Sequence, residues 1–347
     1  MIKITKDNIR DYLLSSNLVE EGEDISIEPM GGWWGSMGVS STLIKVEGPK
    51  SNFVLKQPLP ELAVKDFWPC DTDRIEKEKN CIEALASSVG EDLVPKILFF
   101  DKENDALVMS LIPPDWELWK RQLLDGRIDD RVSVRVAEIL AQIHNKTFQD
   151  KDIQEKFDDR KILWQLRIDP YYKTVAERHP EVADVVEAEM ERMLSTRQCL
   201  VLGDYSPKNI LTKDGEIVLL DLEIGHYGDP ILDFASCLNH LLLKFIHFSF
   251  QEQSLKYEYL KTAEHYCTTY LNTVEFEEEE TLSSNAVKDL GCLMLARVDG
   301  KSPVEYITDD KAKDIVRRIS QDILLGDYNK LNQVFEMIEH ELQHAKI

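Results

Sequence analysis

Positive charge is scarce in this chain. Its 347 residues carry 41 Lys and Arg against 64 Asp and Glu, a formal net charge of −23. Nucleic acids and anionic membranes need a basic face that displaces counterions, so neither is an expected partner. A phosphate ligand stays open, because a few lysines, Mg²⁺ and backbone N–H groups can act locally. The acidity also fits a cationic small substrate. Cysteine is sparse: the six residues at 70, 81, 199, 237, 267 and 292 include no CxxC pair, so reduced packing cysteines in a cytoplasmic protein are expected. Internal repeats and low-complexity segments are lacking. The opening MIKITKDNIRDYLL is too charged for a signal peptide. Long hydrophobic runs are lacking too. The most apolar stretch, CLNHLLLKFIHFSF at 237–250, is read as too short to span a bilayer, and it contains Asn239, His240, Lys244 and His247. A buried helix is expected there.

What is present is ordinary for a folded protein, with 43% hydrophobic and 30% charged residues. The length exceeds one typical domain, so two lobes are the default. Residues 25–57 alternate apolar and polar positions around a glycine cluster and predict antiparallel strands, STLIKV (41–46) and NFVLKQ (52–57) among them. Helical periodicity covers 72–88, and 94–112 predicts a hairpin. The prolines of IPPDW then suggest a boundary, giving lobes 1–111 and 112–347. Beyond it helices are predicted at 131–148, 181–197, 231–248, 254–272, 285–297 and 309–345. One exception, 199–223, predicts strand, polar loop, strand, DG turn, strand. The fold class is α+β, a small β-rich lobe followed by a larger, mainly helical one.

The chemistry concentrates in GDYSPKNIL (203–211) and LLDLE (219–223). Asp204 and Asn209 lie on a loop between apolar runs, and Asp221 ends the next strand. Phosphoryl transfer needs a carboxylate near the attacking hydroxyl and oxygen ligands that hold Mg²⁺ against phosphates. Asp204 suits the base, Asn209 and Asp221 the metal. Either motif alone would be an ordinary polar loop; in this order and context they point to catalysis.

The pair resembles the catalytic and metal loops of the aminoglycoside phosphotransferase/choline kinase superfamily, whose fold is that of protein kinases. LLDLEIGHYGDPILDFASCL (219–238) extends the likeness through GDP-x-x-D, which implies that Asp233 anchors the catalytic loop. VLKQPLPELAVKDFWPCDTDRIEKE (54–78) closely resembles a segment of 5-methylthioribose kinases. That match implies that Lys56 holds the ATP α- and β-phosphates with Glu78 as its helix partner. GVSS (38–41) resembles the superfamily's phosphate-covering turn and brings in Gly38, Ser40 and Ser41. The segment MSLI (109–112) stands where the adenine-binding hinge is implied, with Met109 and Leu111. LRIDPYYKTVAERHPEV (166–182) and GCLMLARVDGKSPVEYI (291–307) also resemble methylthioribose kinase segments. In the second, the family's adjacent arginines reduce to Ala296 and Arg297. Arg297 either pairs with an acid such as Asp299 or Glu305 or faces the acceptor. The histidine usual before GD is Leu202 here, a mostly architectural loss.

The expectation is an ATP- and Mg²⁺-dependent kinase of a small hydroxylated molecule, such as a sugar, an aminoglycoside or an amino alcohol. A nucleotide-binding pseudokinase is the alternative, and a homodimer is a possible assembly. Other features are read as structural. HELQH (340–344) matches a zinc-protease pattern without a downstream third ligand and reads as an amphipathic helix. EFEEEE (275–280) reads as a solvated loop or helix start. His144 is expected to be packed and hydrogen-bonded, and Trp33 and Trp34 belong either to core packing or to a lid.

Overall fold

The computed structural model describes residues 2–30, 40–252 and 254–345. The chain divides into two compact units, Met1–Pro114 and Asp115–Ile347. Gly38, Trp33 and Trp34 lie outside the described residues.

The first unit opens with helix α1 (Ile9–Ser15) and contains strands β1 (Ser26–Pro29), β2 (Ser41–Glu47), β3 (Asn52–Pro58), β4 (Ile97–Asp101) and β5 (Ala106–Ser110). They form one sheet in the order β1-β2-β3-β5-β4, antiparallel throughout. Helix α2 (Arg74–Ser88) connects β3 to β4. Alternation decides the faces. Ile44 and Val46 of β2 and Phe53 and Leu55 of β3 form a core with Ile9 and Leu13 of α1. Side chains on successive strand residues point to opposite faces, so Val54 and Lys56 project from the other side.

The second unit begins with β6 (Glu117–Leu118) and helices α3 (Trp119–Leu124), α4 (Asp130–Thr147), α5 (Lys151–Phe157) and α6 (Lys161–Leu163). A π-helix over Trp164–Lys173 leads into α7 (Thr174–Arg178) and α8 (Ala183–Ser195). Strands β7 (Cys199–Val201), β8 (Ile210–Lys213), β9 (Glu216–Leu219) and β10 (His226–Gly228) follow. The chain then continues through α9 (Ile231–Gln251), α10 (Lys256–Thr273), α11 (Glu279–Asp299), α12 (Asp310–Leu325) and α13 (Leu331–His344). The DG turn forms as predicted. Asp214 and Gly215 both have positive φ, 52° and 89°, which closes the tight β8–β9 hairpin. The strand before the GDYSPKN loop, β7, pairs with β10 rather than with β8.

Three expectations need correction. The helix expected over 309–345 is two, because the chain turns at Gly326 after α12. A Cβ there would sit 2.4 Å from the Tyr328 ring and 2.7 Å from the Asp322 carbonyl oxygen, so a larger residue does not fit. The helical segments at 119–124 and 151–178 were not anticipated; they are short, and Pro170 interrupts the periodicity of Trp164–Lys173. The apolar run is longer than read. Helix α9 has 21 residues, long and apolar enough by length and composition to cross a membrane, and 94% of its most apolar window is buried inside the fold. It serves as a core helix of the second unit. There Phe234 stacks on Tyr266 and Tyr270 of α10.

Candidate functional site

In the first unit Lys56 of β3 reaches Glu78 of α2, with Nζ 2.6 Å from Oε2 and the two side chains only 5% and 2% exposed. Pairing is what allows two charges to sit this deep. Their neighbour Arg74, fully buried one turn earlier on α2, donates to the carbonyls of Ser40 (2.6 Å), Leu59 (2.9 Å) and Asp71 (2.7 Å). Ser40 is therefore tied to α2 through its backbone. Ser41 starts β2 opposite Pro58, with a buried hydroxyl that has no hydrogen-bond partner among the described residues. Met109 lies buried on β5 opposite Val54, and Leu111 follows the strand half-buried.

In the second unit the loop after β7 is held from beneath. Asp233, in the first turn of α9, accepts the N–H groups of Leu202 (2.6 Å) and Gly203 (2.7 Å). This is the anchoring role implied for it. Because the contact uses the Leu202 main chain, leucine in place of histidine leaves it intact. Gly203 has φ +78°, and a Cβ would lie 2.4 Å from Ile224 Cγ2, so only glycine fits this turn. His144 is fully buried between Tyr270 OH (2.8 Å) and the Asp233 carboxylate (3.6 Å), a packed residue as expected.

The next residue, Asp204, is clamped by two cations. Arg167 Nη2 and Lys208 Nζ each lie 2.7 Å from Oδ2. Burial alone would raise its pKa, but these two charges outweigh it and hold the carboxyl well below the usual range. Arg167 is itself oriented by the Gly203 carbonyl, to which its Nε donates at 2.6 Å. Asn209 Nδ2 donates to the Asp204 carbonyl at 3.1 Å. Asp221, beyond β9, adopts φ +60°, a left-handed backbone unusual for a residue other than glycine and a form of strain that clusters at functional sites. Its carboxylate favours the charged forms of Arg167 and Lys208, so Asp204 and Asp221 act on the same pair of cations.

Arg297, near the end of α11, extends this group. Its Nη1 donates to Tyr171 OH (2.7 Å) and to the Ser302 carbonyl (2.8 Å). The Tyr171 ring lies between two guanidiniums, 5.2 Å from that of Arg167 and 5.5 Å from that of Arg297. The expected alternative partners of Arg297 are engaged elsewhere. Asp299 pairs with Arg317 (2.8 Å) and His179 (3.0 Å), and Glu305 with Lys120 (2.5 Å).

Arg167, Lys208 and Tyr171 escaped the sequence reading, although signals existed. Lys208 lies within GDYSPKNIL, four residues after Asp204, and Arg167 and Tyr171 fall in the LRIDPYYK block. The π-helix places them on one face across a ten-residue segment. At the C-terminus, His340 and His344 of HELQH stack 4.1 Å apart and Glu341 pairs with Arg318.

Comparison with known proteins bears on the family and the fold. Methylthioribose kinase of Escherichia coli O45:K1 (strain S88 / ExPEC) is 26% identical over 233 residues, 58% of this chain and 54% of that protein. That of Citrobacter koseri is 26% identical over 221 residues, 56% of this chain and 55% of that protein. The chain thus spans about half the length of the curated relatives it matches. Among solved structures, the GDP complex of aminoglycoside 2'-phosphotransferase-IIIa shares the fold with a TM-score of 0.52 at 13% identity, covering 98% of this chain and 99% of that one. The streptomycin–ATP complex of APH(2")-IIa does so at 0.52 and 14%, covering 86% and 91%. The profile of the phosphotransferase enzyme family (APH) matches residues 36–254, which include Lys56, Asp204, Asn209, Asp221 and Asp233, and the chain belongs to that family.

Proposed function

We propose that this protein transfers the γ-phosphoryl group of ATP, with Mg²⁺, to a hydroxyl of a small molecule. The observation that carries the reading is Asp204, clamped between Arg167 and Lys208 on a loop that Asp233 and Gly203 hold in place. A carboxylate kept so firmly ionised is a weak base. It accepts a hydrogen bond from the acceptor hydroxyl, orients the oxygen for attack, and takes the proton only as the new O–P bond forms and the bond to the β-phosphate breaks. A loose transition state asks for this positioning more than for early deprotonation. Lys208, partly exposed, offsets charge on the transferred group. The oxygen donors of Asn209 and Asp221 suit Mg²⁺, which would neutralise charge on the phosphates. Lys56, oriented by Glu78, is assigned to the α- and β-phosphates, with Ser40, Ser41 and Gly38 at the covering turn and Met109 and Leu111 at the adenine hinge.

The acceptor follows the relatives only as a class. Sugars such as methylthioribose, aminoglycosides and amino alcohols are the compounds to test. The assay is phosphate transfer from labelled ATP across that panel, with ATP binding measured alongside. Transfer to at least one hydroxyl acceptor, dependent on Mg²⁺, supports the reading. ATP binding without transfer to any of them would instead favour a pseudokinase.

A further inference from the structure

Both flanks of Asp204 are tied to helix α4. Upstream, the Leu200 N–H donates to Thr147 Oγ1 at 3.0 Å, and that hydroxyl donates in turn to the Ile143 carbonyl at 2.7 Å. Downstream, the Tyr205 hydroxyl donates to the Val136 carbonyl at 2.7 Å. Between these ties, the N–H groups of Leu202 and Gly203 both go to the Asp233 carboxylate. The α4 residue that meets this carboxylate is His144, three positions before Thr147 and so on the same helix face. Its Nε2 stands 3.6 Å from Asp233 Oδ2 and has no hydrogen-bond partner among the described residues. That is too long for a hydrogen bond, yet close enough for an N–H dipole to orient a buried carboxylate.

The line continues to Tyr270 of α10, whose hydroxyl lies 2.8 Å from His144 Nδ1. His144, Asp233 and Tyr270 are all fully buried, so their polar atoms must be satisfied by one another. Burial, with Cys199, Asp233 and Asp229 nearby, raises the pKa of the Tyr270 phenol, which therefore keeps a proton to donate. A single ring proton on His144 has two places. On Nδ1 it would leave the Tyr270 hydroxyl without an acceptor and point the Nε2 lone pair at a carboxylate oxygen. On Nε2 it lets Tyr270 donate to Nδ1 and turns an N–H toward Oδ2, which suits all three groups.

We propose that His144, set by Tyr270, is a positioning residue for Asp204: its Nε2–H orients the Asp233 carboxylate so that both oxygens take the Leu202 and Gly203 N–H groups. Gly203 directly precedes Asp204, so a turn of that carboxylate displaces the residue assigned to orient the acceptor hydroxyl. The catalytic consequence rests on the phosphotransferase reading above; the hold on the loop does not.

The test uses the full chain with His144→Phe, which keeps a ring without nitrogen, and His144→Gln, whose amide can again donate to Asp233 and accept from Tyr270. In the intact chain, imidazole ¹⁵N spectra should show a proton on Nε2 of His144. In His144→Phe the Leu202 and Gly203 amides should exchange at least about fivefold faster relative to the Leu200 amide, which Thr147 holds. His144→Gln should restore that ratio. A merely packed histidine would instead change all three amides together, in step with Tm. Hydrolysis of ATP with Mg²⁺ and no acceptor is the probe of turnover: kcat should fall about tenfold or more in His144→Phe, with KM for ATP unchanged, and recover in His144→Gln. Should His144→Phe not fold, Tyr270→Phe, which should raise the same exchange ratio, and the Nε2 spectrum carry the decision. The proposal is overturned if Nε2 carries no proton, if the exchange ratio stays at its intact value in the folded variant, or if His144→Gln fails to restore it. The expected exchange pattern in a chain that turns over no ATP would sink the kinase reading alone.

Discussion

Replacing Asp204 by Asn separates catalysis from stability at this site. The substitution keeps the shape and one oxygen acceptor but removes the charge that Arg167 and Lys208 clamp at 2.7 Å. Turnover should fall by at least ~10²-fold, about 2.7 kcal/mol of barrier, with ATP affinity nearly unchanged. Stability should also fall. Breaking a buried pair by removing one partner costs about 3–5 kcal/mol. Here Arg167 keeps its bonds to two carbonyls, and Lys208 can turn to solvent. About 1–3 kcal/mol is the better figure, a loss of several degrees in Tm for a unit of this size. Adding Arg167→Met should recover much of the Tm and none of the turnover, because it removes the orphaned guanidinium without restoring a carboxylate. The pH profile gives a further check. The depressed pKa means that the stabilisation by Asp204 is complete above the ordinary carboxylate range and is lost only as pH falls through its lower folded value. Removing Lys208 takes away one of the two charges that hold this pKa down, so the acid limb of kcat/KM should shift to higher pH in Lys208→Met. Steady-state kinetics and calorimetry suffice. Near-normal turnover in Asp204→Asn would falsify its assignment as the group that orients the hydroxyl.

Three other outcomes are expected. Lys56→Met should weaken ATP binding by about tenfold or more and lower Tm, because it strips the ammonium from the buried Glu78 pair; Glu78→Gln added to it should restore Tm but not ATP affinity, and recovered affinity would refute the assignment. Asp221→Ala should abolish the Mg²⁺ dependence of ATP binding, and equal ATP binding with and without Mg²⁺ in the intact protein would already count against the metal role. Asp289 is fully buried and receives a 2.7 Å hydrogen bond from Tyr172 OH; burial, opposed by Arg192, pushes its pKa up to about 7. The folded state then holds a proton that the unfolded state has released, so this residue costs stability increasingly as pH rises from about 4 to 7. The Tm advantage of Asp289→Asn over the intact chain should grow through that range, and a pH-independent difference would show that the carboxyl is ionised in the fold.

Much of the molecule was legible locally, because short-range rules govern it. Two-residue alternation in STLIKV and NFVLKQ specified the sheet faces. The DG pair specified the β8–β9 turn, and the order of Asp204, Asn209 and Asp221 marked the loop proposed to face phosphate. Helix ends governed by a single crowded glycine, as at Gly326, were not legible, since the obstruction is the Tyr328 ring in the folded chain.

The sequence by itself determined the family and the α+β layout and singled out Asp204 as the candidate carboxylate, because each is carried by residues close in the chain. Only the tertiary structure decided what surrounds that carboxylate. Arg167, 37 positions before Asp204, reaches it through the π-helix, and Arg297 and Lys244 converge on the same region from α11 and α9. In the sequence His240 and Lys244 read as reasons why an apolar helix would not enter a membrane. In the fold His240 faces Arg297 at 3.5 Å, and Lys244 donates to the His240 carbonyl at 3.2 Å. Charge balance at a site is a sum over neighbours in space, and the spacing of residues along a chain does not contain it.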